Sequence, residues 1–254
     1  MTGVLSEFGP PPGRLERPVE GEVHVWRVAL DQGDEVVAGL RGVLAADEVA
    51  RAERFHFERH RRRFTMARGA LRRLLGGYLG TAPEAVRFEY GAREKPRLAE
   101  PGSTSGSGVE FNLSHSSEMA LVAVTVGPEV GIDVEAVRPM EDALAISERF
   151  FSAAERVVLA ACPESERDEA FFRCWTRKEA YVKAVGDGIA LGLDRFDVSL
   201  EPGAGARFLA LEGDLERAAA WSLVHIEPGP GYVGALALPA HPRTVRGLEW
   251  EPGS

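Results

Sequence analysis

The chain has 254 residues, 44% of them hydrophobic, and carries a formal net charge of −9. That length suits one large domain or two of ordinary size, and the negative charge argues against a protein that binds nucleic acid over most of its surface. The longest strongly apolar run, Met119 to Val126, is far shorter than the roughly 18 residues that a membrane span needs. The two cysteines predict no disulfide framework, and no signal-peptide pattern begins the chain, so we expect a cytoplasmic protein.

The first half of the chain predicts a strand, a long helical region and then short strands. The Pro- and Gly-rich residues 1–20 are expected to be disordered. Apolar residues that recur at intervals of three and four predict helix over Asp47–Leu79, as one helix or as two that meet near His60. The strands are expected at Val23–Leu30, Val86–Tyr90, Glu110–Leu113 and Met119–Val126, with a polar loop at Glu100–Gly108 and a Ser-His-Ser-Ser turn before Met119.

The second half repeats this order of a strand, helices and further strands. A capping box at Ser152 and Glu155 predicts the start of one helix. We therefore expect two similar α/β halves, residues 21–127 and 128–240, followed by a C-terminal tail over 241–254. The other predicted elements are strands at Val130–Val137, Phe196–Leu200, Arg207–Leu211, Trp221–Ile226 and Tyr232–Leu238, and helices at Glu141–Phe151 and Asp168–Val185.

The pentapeptide Gly131-Ile132-Asp133-Val134-Glu135 lies in a predicted strand. Alternation along the strand puts Gly131, Asp133 and Glu135 on one face, where the missing glycine side chain leaves room beside two carboxylates. Close carboxylates repel each other, and a divalent cation would relieve that repulsion. Magnesium suits such a site, because it binds one or two carboxylates together with substrate phosphates. The alternative is an exposed strand edge with two solvated acids, and the pentapeptide alone leaves both open.

The segment Trp175–Lys183 lies in a predicted helix and contains two of the three lysines among 30 basic residues. There are two interpretations of this rarity: these positions need a compact ammonium and not a planar guanidinium, or the distribution of lysine is chance. Trp175, Glu179 and Lys183 are spaced by four and share one stripe of the helix. Lys178 points to the more apolar side, where its stem could follow the core while its ammonium reaches a cleft. The alternative is an amphipathic helix with an internal Glu179–Lys183 pair.

The segment Phe111-Asn112-Leu113-Ser114-His115-Ser116 ends a predicted strand. Neighbouring residues of an extended chain point to opposite faces, so Ser114 and His115 are poorly placed to act as a nucleophile and its base. No Gly-x-Ser-x-Gly elbow is present either. A strand that ends in Ser-His is better suited to hydrogen-bonding a phosphate, and the alternative is a polar turn.

A cluster of nine arginines lies between Arg51 and Arg73 and is followed by Lys95. Arginine guanidinium groups match the geometry of phosphate oxygens. The alternative is a solvated helix face. The candidates for a phosphate contact are Arg59, Arg61, Arg62 and Arg63.

Together these motifs resemble the signature of phosphopantetheinyl transferases. Gly-Ile-Asp-Val-Glu at 131–135 is followed, after 42 residues, by Lys178-Glu179-Ala180-x-x-Lys183. The block at 111–116 resembles that of the larger, surfactin-synthetase-activating (Sfp) type. The dipeptide Lys95-Pro96 and the helix from Arg59 to Leu75 fall in the expected order, and the resemblance covers roughly Leu44 to Leu238.

The resemblance implies an α/β (α+β) fold, a monomer of two pseudo-symmetric halves, each a small mixed sheet packed with helices, with the active site in the cleft between them. It implies an enzyme that transfers 4'-phosphopantetheine from coenzyme A to a serine of an apo acyl or peptidyl carrier protein. Such carriers belong to polyketide, nonribosomal peptide or fatty acid biosynthesis. Neither a nucleic acid nor a membrane is an expected partner.

The resemblance also implies a role for each candidate residue. Magnesium, or manganese, would be held against the pyrophosphate by Asp133, Glu135 and Glu179. Lys183, assisted by Lys178, would neutralise the pyrophosphate. Glu179 would be the general base, acting directly or through a metal-bound water. The 3'-phosphate and the adenosine would contact Ser114, His115, Lys95 and Arg59.

One departure from the family pattern is Glu94, which stands where a glycine usually precedes the Lys-Pro dipeptide. It leaves the placement of Lys95 open, and Arg61 or Arg63 could replace Arg59 in its role. Three other functions are alternatives: a non-catalytic coenzyme A-binding or carrier-docking module, a magnesium phosphohydrolase, and a purely structural α/β protein. A non-catalytic module would be expected to lose a carboxylate, and all three are present.

Overall fold

A computed structural model describes residues 3–90, 95–99, 108–186, 192–201, 205–239 and 241–253. These residues form a mixed α/β protein, as predicted. The helices are α1 Asp34–Arg41, α2 Ala46–Glu53, α3 Glu58–Leu79, α4 Ala143–Phe150, α5 Ala153–Ala161, α6 Glu164–Val185 and α7 Leu215–Ala219. The strands are β1 Val4–Leu5, β2 Glu22–Ala29, β3 Phe88–Tyr90, β4 Pro96–Leu98, β5 Val109–Ser116, β6 Met119–Val126, β7 Gly131–Ala136, β8 Phe196–Val198, β9 Phe208–Leu211, β10 Ser222–Ile226, β11 Tyr232–Leu238 and β12 Thr244–Glu249. No helix in this described part of the chain is long and apolar enough to cross a membrane.

Two four-stranded sheets form the centre of the molecule, in the orders β12-β2-β6-β5 and β1-β10-β11-β7. In the first half β2 pairs with β6, and β6 pairs with β5. In the second half β7 pairs with β11, and β11 pairs with β10. All four pairs are antiparallel. Each half also has a helix of 22 residues. Along the chain, α3 lies between β2 and β5, and α6 lies between β7 and β10. The expected pseudo-symmetry of the two halves is therefore confirmed at the level of topology.

The terminal strands cross between the halves. β1 pairs parallel with β10 in the second sheet, and β12 pairs parallel with β2 in the first. The two termini also contact each other, because Gly9 exchanges backbone hydrogen bonds with Gly247 and Glu249. The structure therefore differs from the expected disordered segment over 1–20 and the expected tail over 241–254. Each terminal segment is held by the open edge of a sheet, which no local sequence period announces.

The long helical region is two helices, α2 and α3, separated at residues 54–57 rather than at His60. β5 is longer than predicted, since it continues through Ser114, His115 and Ser116, and the turn to β6 is Ser117–Glu118. Ser117 has a positive φ of 50° in this turn. Consequently Ser114 and His115 lie within a regular strand and project from opposite faces of it.

Three apolar clusters hold the layers together. One joins α3 to the outer face of the first sheet, and a second joins α6 to the outer face of the other. The third is shared by the inner faces of both sheets and includes Ile132 and Val134 of β7. Full burial of each such side chain stabilises the fold by roughly 1.5–3 kcal/mol. The opposite face of β7, with Gly131, Asp133 and Glu135, is thereby turned towards α6.

Helix α6 crosses β7 directly over Gly131. A Cβ at this position would overlap the Ala180 carbonyl oxygen and the backbone nitrogen of Ala184. The glycine therefore serves the close approach of the helix, and the expectation of an open space beside the carboxylates is wrong. The same close approach brings the side chain of Lys183, which lies between Ala180 and Ala184 in α6, into contact with Asp133.

Lys178 lies in the core and does not reach a cleft. Its ammonium is fully buried, pairs with Glu155 at 2.7 Å, and donates to the carbonyl oxygens of Leu193 and Phe196 at 2.7 and 2.6 Å. Glu155 is the capping-box residue of α5, and it also accepts hydrogen bonds from the backbone of Ser152 and Val198. The expectation that Lys178 assists the coenzyme is therefore wrong, because all three of its donors are used in this core network.

We expect Lys178→Met to destabilise the protein by about 3–5 kcal/mol, because it leaves the buried Glu155 carboxylate without its cation. Urea denaturation measures this loss. A suitable control is Arg217→Met, which removes a half-exposed partner of Glu212 and should cost less than about 1 kcal/mol. Equal stability of the Lys178 variant and the wild type would contradict a structural role.

Gly131→Ala is expected to destabilise the protein by about 1–3 kcal/mol or more, because the added methyl group overlaps the α6 backbone. Thermal unfolding checks this expectation. Gly13→Ala is the matched control, since nothing lies within 4 Å of the added atom at that position. An unchanged melting temperature in the Gly131 variant would mean that α6 does not cross β7 as described.

Candidate active site

The two halves meet where the side chains of β5 reach the free edge of β7. Asn112 accepts a hydrogen bond from the backbone N–H of Ile132 at 2.9 Å. Ser114 accepts one from Val134 at 3.4 Å, and Ser116 accepts one from Ala136 at 3.1 Å. Alternate residues of β7 direct their backbone N–H groups away from β11, towards the edge of the sheet. Side chains of β5 accept hydrogen bonds from these groups, which would otherwise need another strand as a partner.

The two serines of β5 also hold the two carboxylates of β7. The Ser114 hydroxyl donates to Asp133 Oδ1 at 2.7 Å, and the Ser116 hydroxyl donates to Glu135 Oε2 at 2.6 Å. A hydroxyl has one donor and two acceptor sites, so each serine serves the backbone and a carboxylate at once. The motifs at 111–116 and 131–135 are thus two sides of one joint.

Lys183 completes this cluster from α6. Its ammonium lies 2.6 Å from Asp133 Oδ1 and 2.9 Å from the Ser114 hydroxyl. The Asp133 side chain is only 6% exposed, whereas that of Lys183 is 29% exposed. The structure therefore brings together three residues that are distant in the sequence, and one charged group among them remains open to a ligand.

Glu179 lies one turn before Lys183 on the same helix. Burial raises the pKa of its carboxyl group, the nearby Asp133 raises it further, Lys183 opposes this increase, and Glu135 adds to it. Asp133 and Glu135 are therefore close enough to Glu179 to affect the charge of its carboxyl group. This is the electrostatic situation that a positively charged ligand would relieve.

Both the geometry and the donor atoms of the three carboxylates bear on whether they can hold a metal ion. In the described ranges, no group of three or more His, Cys, Asp or Glu side chains is arranged to hold a metal ion. Asp133 Oδ2 is nevertheless buried, and no hydrogen-bond partner for it lies among the described residues. An unpartnered buried carboxylate oxygen beside two further carboxylates is a donor set that suits a hard divalent cation. The residues therefore fit such an ion in chemistry.

A cavity of about 600 Å³ opens beside this cluster. α2, α3 and β5 form its walls, and Ser114, His115 and Lys183 line the side that faces the carboxylates. The surrounding protein desolvates His115 and lowers the pKa of its imidazole, and the charges of Lys183, Arg63 and Arg51 lower it further. Lys183 and Arg51 thus give this rim positive charge that suits an anion, while Asp47 and Glu48 line the cavity as well.

The cavity is lined by arginines other than the predicted Arg59. Arg51 and Arg54, at the end of α2, line it together with Arg68 of α3. Arg59 instead stacks its guanidinium on Phe57, 5.2 Å from the ring centroid, at the exposed start of α3. The geometry does not support Arg59 as a phosphate contact. The cluster of arginines that begins at Arg51 was visible in the sequence. Its full length, and not only its densest part at 59–63, contained the residues that line the cavity.

The alternatives to Arg59 have acidic partners of their own. Arg61 pairs with Glu58 and Arg63 with Glu118, both at 3.1 Å. The charge of Arg63 lowers the pKa of His115, which places Arg63 near the cavity rim. Among the predicted alternatives, Arg63 is therefore the better supported.

Lys95 lies at the C-terminal end of α6. Its ammonium donates to the Ala184 carbonyl oxygen at 3.3 Å and lies 4.0 Å from Glu129. Burial lowers the pKa of Lys95, and Glu129 opposes this effect. Lys95 thus ties the β3–β4 hairpin of the first half to the second, while its neighbour Pro96 lines the cavity. Glu94 lies outside the described residues.

A buried ion cluster that sequence reasoning missed supports the cavity wall. The Glu48 carboxylate of α2 pairs with both Arg68 and Arg72 of α3. Arg68 also donates to the Tyr90 hydroxyl at 2.5 Å. A guanidinium can serve several acceptors at once, so this cluster fixes α2, α3 and β3 relative to one another. The nearly complete burial of Glu48 has no signal in its local sequence.

Comparisons with known proteins agree on one family. Residues 129–237 match the model of the 4'-phosphopantetheinyl transferase superfamily, and residues 34–127 match that of the 4'-phosphopantetheinyl transferase N-terminal region. A 4'-phosphopantetheinyl transferase HetI of Nostoc sp. is 44% identical over 231 residues, which is 91% of this chain and 90% of that protein.

Two further relatives match shorter parts of the chain. A 4'-phosphopantetheinyl transferase psf-1 of Bacillus pumilus is 35% identical over 63% of this chain and 66% of its own. A 4'-phosphopantetheinyl transferase Sfp of Bacillus subtilis is 36% identical over 45% of this chain and 48% of its own. With the extensive match to the Nostoc protein and the two family models, these similarities place the chain in the 4'-phosphopantetheinyl transferase superfamily, as a protein of the Sfp type.

Proposed function

We propose that this protein transfers the 4'-phosphopantetheine group of coenzyme A to a serine of an apo acyl or peptidyl carrier protein. The products are the holo carrier and adenosine 3',5'-bisphosphate. The observation that carries the proposal is the Ser114–Asp133–Lys183 cluster, which combines a buried carboxylate with an accessible ammonium at the mouth of a cavity with a basic rim.

Coenzyme A is expected to place its adenosine and 3'-phosphate in the cavity and its pyrophosphate at Lys183. His115 and Arg51 lie at the basic rim, where charge-assisted hydrogen bonds to phosphate oxygens are strong. Lys183 is partly exposed beside the carboxylates. This placement would bring the phosphorus that is attacked next to Glu179, because Glu179 lies one turn from Lys183.

Asp133, Glu135 and Glu179 would hold magnesium, or manganese, through hard oxygen ligands. The unpartnered Asp133 Oδ2 and the mutual repulsion of the three carboxylates support this assignment. When bound, the ion would neutralise charge on the pyrophosphate oxygens.

The carrier serine would attack the β-phosphorus of coenzyme A directly. Glu179 is the proposed general base, and the raised pKa of its carboxyl group makes it a better proton acceptor than an ordinary glutamate. Lys183 would stabilise the charge that develops on the phosphoryl oxygens, and it needs little reorganisation because Asp133 and Ser114 already hold its ammonium. The reaction requires no covalent enzyme intermediate.

A monomer in the cytoplasm is part of the proposal. Both sides of the site belong to one chain, since Ser114 and His115 come from the first half and Asp133 and Lys183 from the second. A non-catalytic coenzyme A-binding or carrier-docking module is the second candidate. It has no need of a base, whereas Glu179 lies among charged groups that shift its proton affinity.

The transfer is tested by incubating the protein with coenzyme A, magnesium and a panel of apo carriers from polyketide, peptide-synthetase and fatty-acid systems. Mass spectrometry of each carrier then measures the product. A gain of one phosphopantetheine group by at least one carrier is expected. No gain by any carrier, with coenzyme A bound normally, would favour the non-catalytic module.

Asp133→Asn and Glu179→Gln are expected to lower kcat/KM for transfer by at least about 100-fold. The first removes a proposed cation ligand that also holds the Lys183 ammonium, and the second removes the proposed base. Both substitutions preserve the size of the side chain, so melting temperatures should show a folded protein. The Arg217→Met variant serves as the control with normal activity. Normal turnover by either carboxylate variant would refute the site.

Lys183→Met is expected to weaken coenzyme A binding by about tenfold or more, because it removes the ammonium that would pair with the pyrophosphate. Calorimetry with coenzyme A measures the affinity. Lys178→Met, if folded, is the contrasting variant and should bind coenzyme A normally, since its ammonium lies in the core. Equal affinity of the Lys183 variant and the wild type would rule out the assigned contact.

A further inference from the structure

The joint between β5 and β7 repeats one unit three times. Asn112, Ser114 and Ser116 each accept a hydrogen bond from a backbone N–H that lies twenty positions further along the chain, at Ile132, Val134 and Ala136. In each unit the residue just before that N–H points towards α6. Those residues are Gly131, Asp133 and Glu135, so two of the three units also present a carboxylate to the side chain from β5.

Ser116 makes the strongest contact that the structure gives to Glu135. Its hydroxyl donates to Glu135 Oε2 at 2.6 Å, while the Ala136 N–H fixes the hydroxyl from the other side. Within the described part of the chain, the ion-pair partner of Glu135 is Arg138, at 3.5 Å and with 55% of its side chain exposed. A long, solvated contact of this kind contributes little. Without Ser116, the Glu135 side chain would be free to turn to Arg138 or to solvent.

Ser114 and Ser116 differ in what else they touch. The Ser114 hydroxyl also contacts the Lys183 ammonium, and Ser114 lines the cavity. Ser116 is half-buried, and its hydroxyl contacts Glu135 and the Ala136 backbone. A change at Ser116 therefore addresses the orientation of Glu135 with little direct effect on the ammonium.

We propose that Ser116 is a positioning residue, whose hydroxyl holds the Glu135 carboxylate in the orientation that binds the divalent cation. This inference rests on the proposed function, because it assigns Ser116 to the cation site of the transferase. Hydrogen-bond partners that orient a metal ligand commonly change metal affinity by about 10–100-fold when they are removed. The backbone contact with Ala136 alone would give Ser116 a structural role without such an effect.

The natural control is Asn112, which makes the same contact with a backbone N–H but faces Gly131 instead of a carboxylate. Asn112→Ala removes one unit of the joint and leaves a buried N–H without a partner, so it should lower stability. Asn112 also lines the cavity, so manganese affinity is compared at coenzyme A concentrations that saturate each protein, and there it should match that of the wild type. Ser116→Thr retains the hydroxyl and is the conservative variant.

The test is calorimetric titration of manganese into the full-length protein, with coenzyme A present, for the wild type, Ser116→Ala, Ser116→Thr and Asn112→Ala. We expect about tenfold weaker manganese binding by Ser116→Ala, recovery by Ser116→Thr, and binding within about twofold of the wild type by Asn112→Ala. In the transfer assay, the KM for magnesium should rise in Ser116→Ala while kcat at saturating magnesium stays close to normal.

Wild-type manganese affinity in a folded Ser116→Ala variant would overturn the inference and leave the transferase function intact. Equal losses of affinity in Ser116→Ala and Asn112→Ala would also overturn it, because they would show a general effect of the joint. A wild type that transfers phosphopantetheine but binds no manganese would refute the proposed cation site and this inference together. Melting temperatures of all four proteins separate loss of affinity from loss of fold.

Discussion

The structure depends on one set of hydrogen bonds, in which side chains of β5 take the place of a neighbouring strand at the edge of β7. β7 has a free edge, and β5 satisfies the backbone N–H groups of Ile132, Val134 and Ala136 with side-chain oxygens. An unpaired edge of this kind would be costly if buried. Because side chains and not another backbone close the edge, their hydroxyls remain available to the carboxylates. The joint between the halves and the candidate active site therefore share Ser114 and Ser116, each of which bonds both the β7 backbone and a carboxylate.

Helix α6 shows how one element divides its charges between fold and function. Lys178 and Lys183 are five residues apart and face different surroundings. The first lies in the core with Glu155, where a buried pair must be complete to be tolerated. The second meets Asp133 at the mouth of the cavity, where part of its side chain stays exposed. Gly131 makes this arrangement possible by letting the helix approach the strand.

Local patterns predicted β7, most of α6 and the shared face of Asp133 and Glu135, because strand alternation and helical spacing are local. The convergence of Asp133 with Lys183 followed from a family resemblance, not from a period. The β5–β7 joint was not predictable, since it joins two sheets through side chains whose partners lie twenty residues away. The partners that bury the Lys178 ammonium, Glu155, Leu193 and Phe196, lie 15 or more residues away, so the local sequence does not encode its environment. Arg59 stacks on Phe57, two residues before it, a contact that a count of arginines does not reveal.

The most direct test of this account is amide hydrogen exchange, measured by NMR on the full-length protein, at Ile132, Val134 and Ala136. If β5 side chains close the edge of β7, all three amides will exchange slowly, at rates comparable to those of the β7 amides that face β11. Slow exchange only on the β11 side, with rates at the other three positions near those of an open strand edge, would contradict it. The halves would then meet in some other way, and the carboxylates would lack the support described for them.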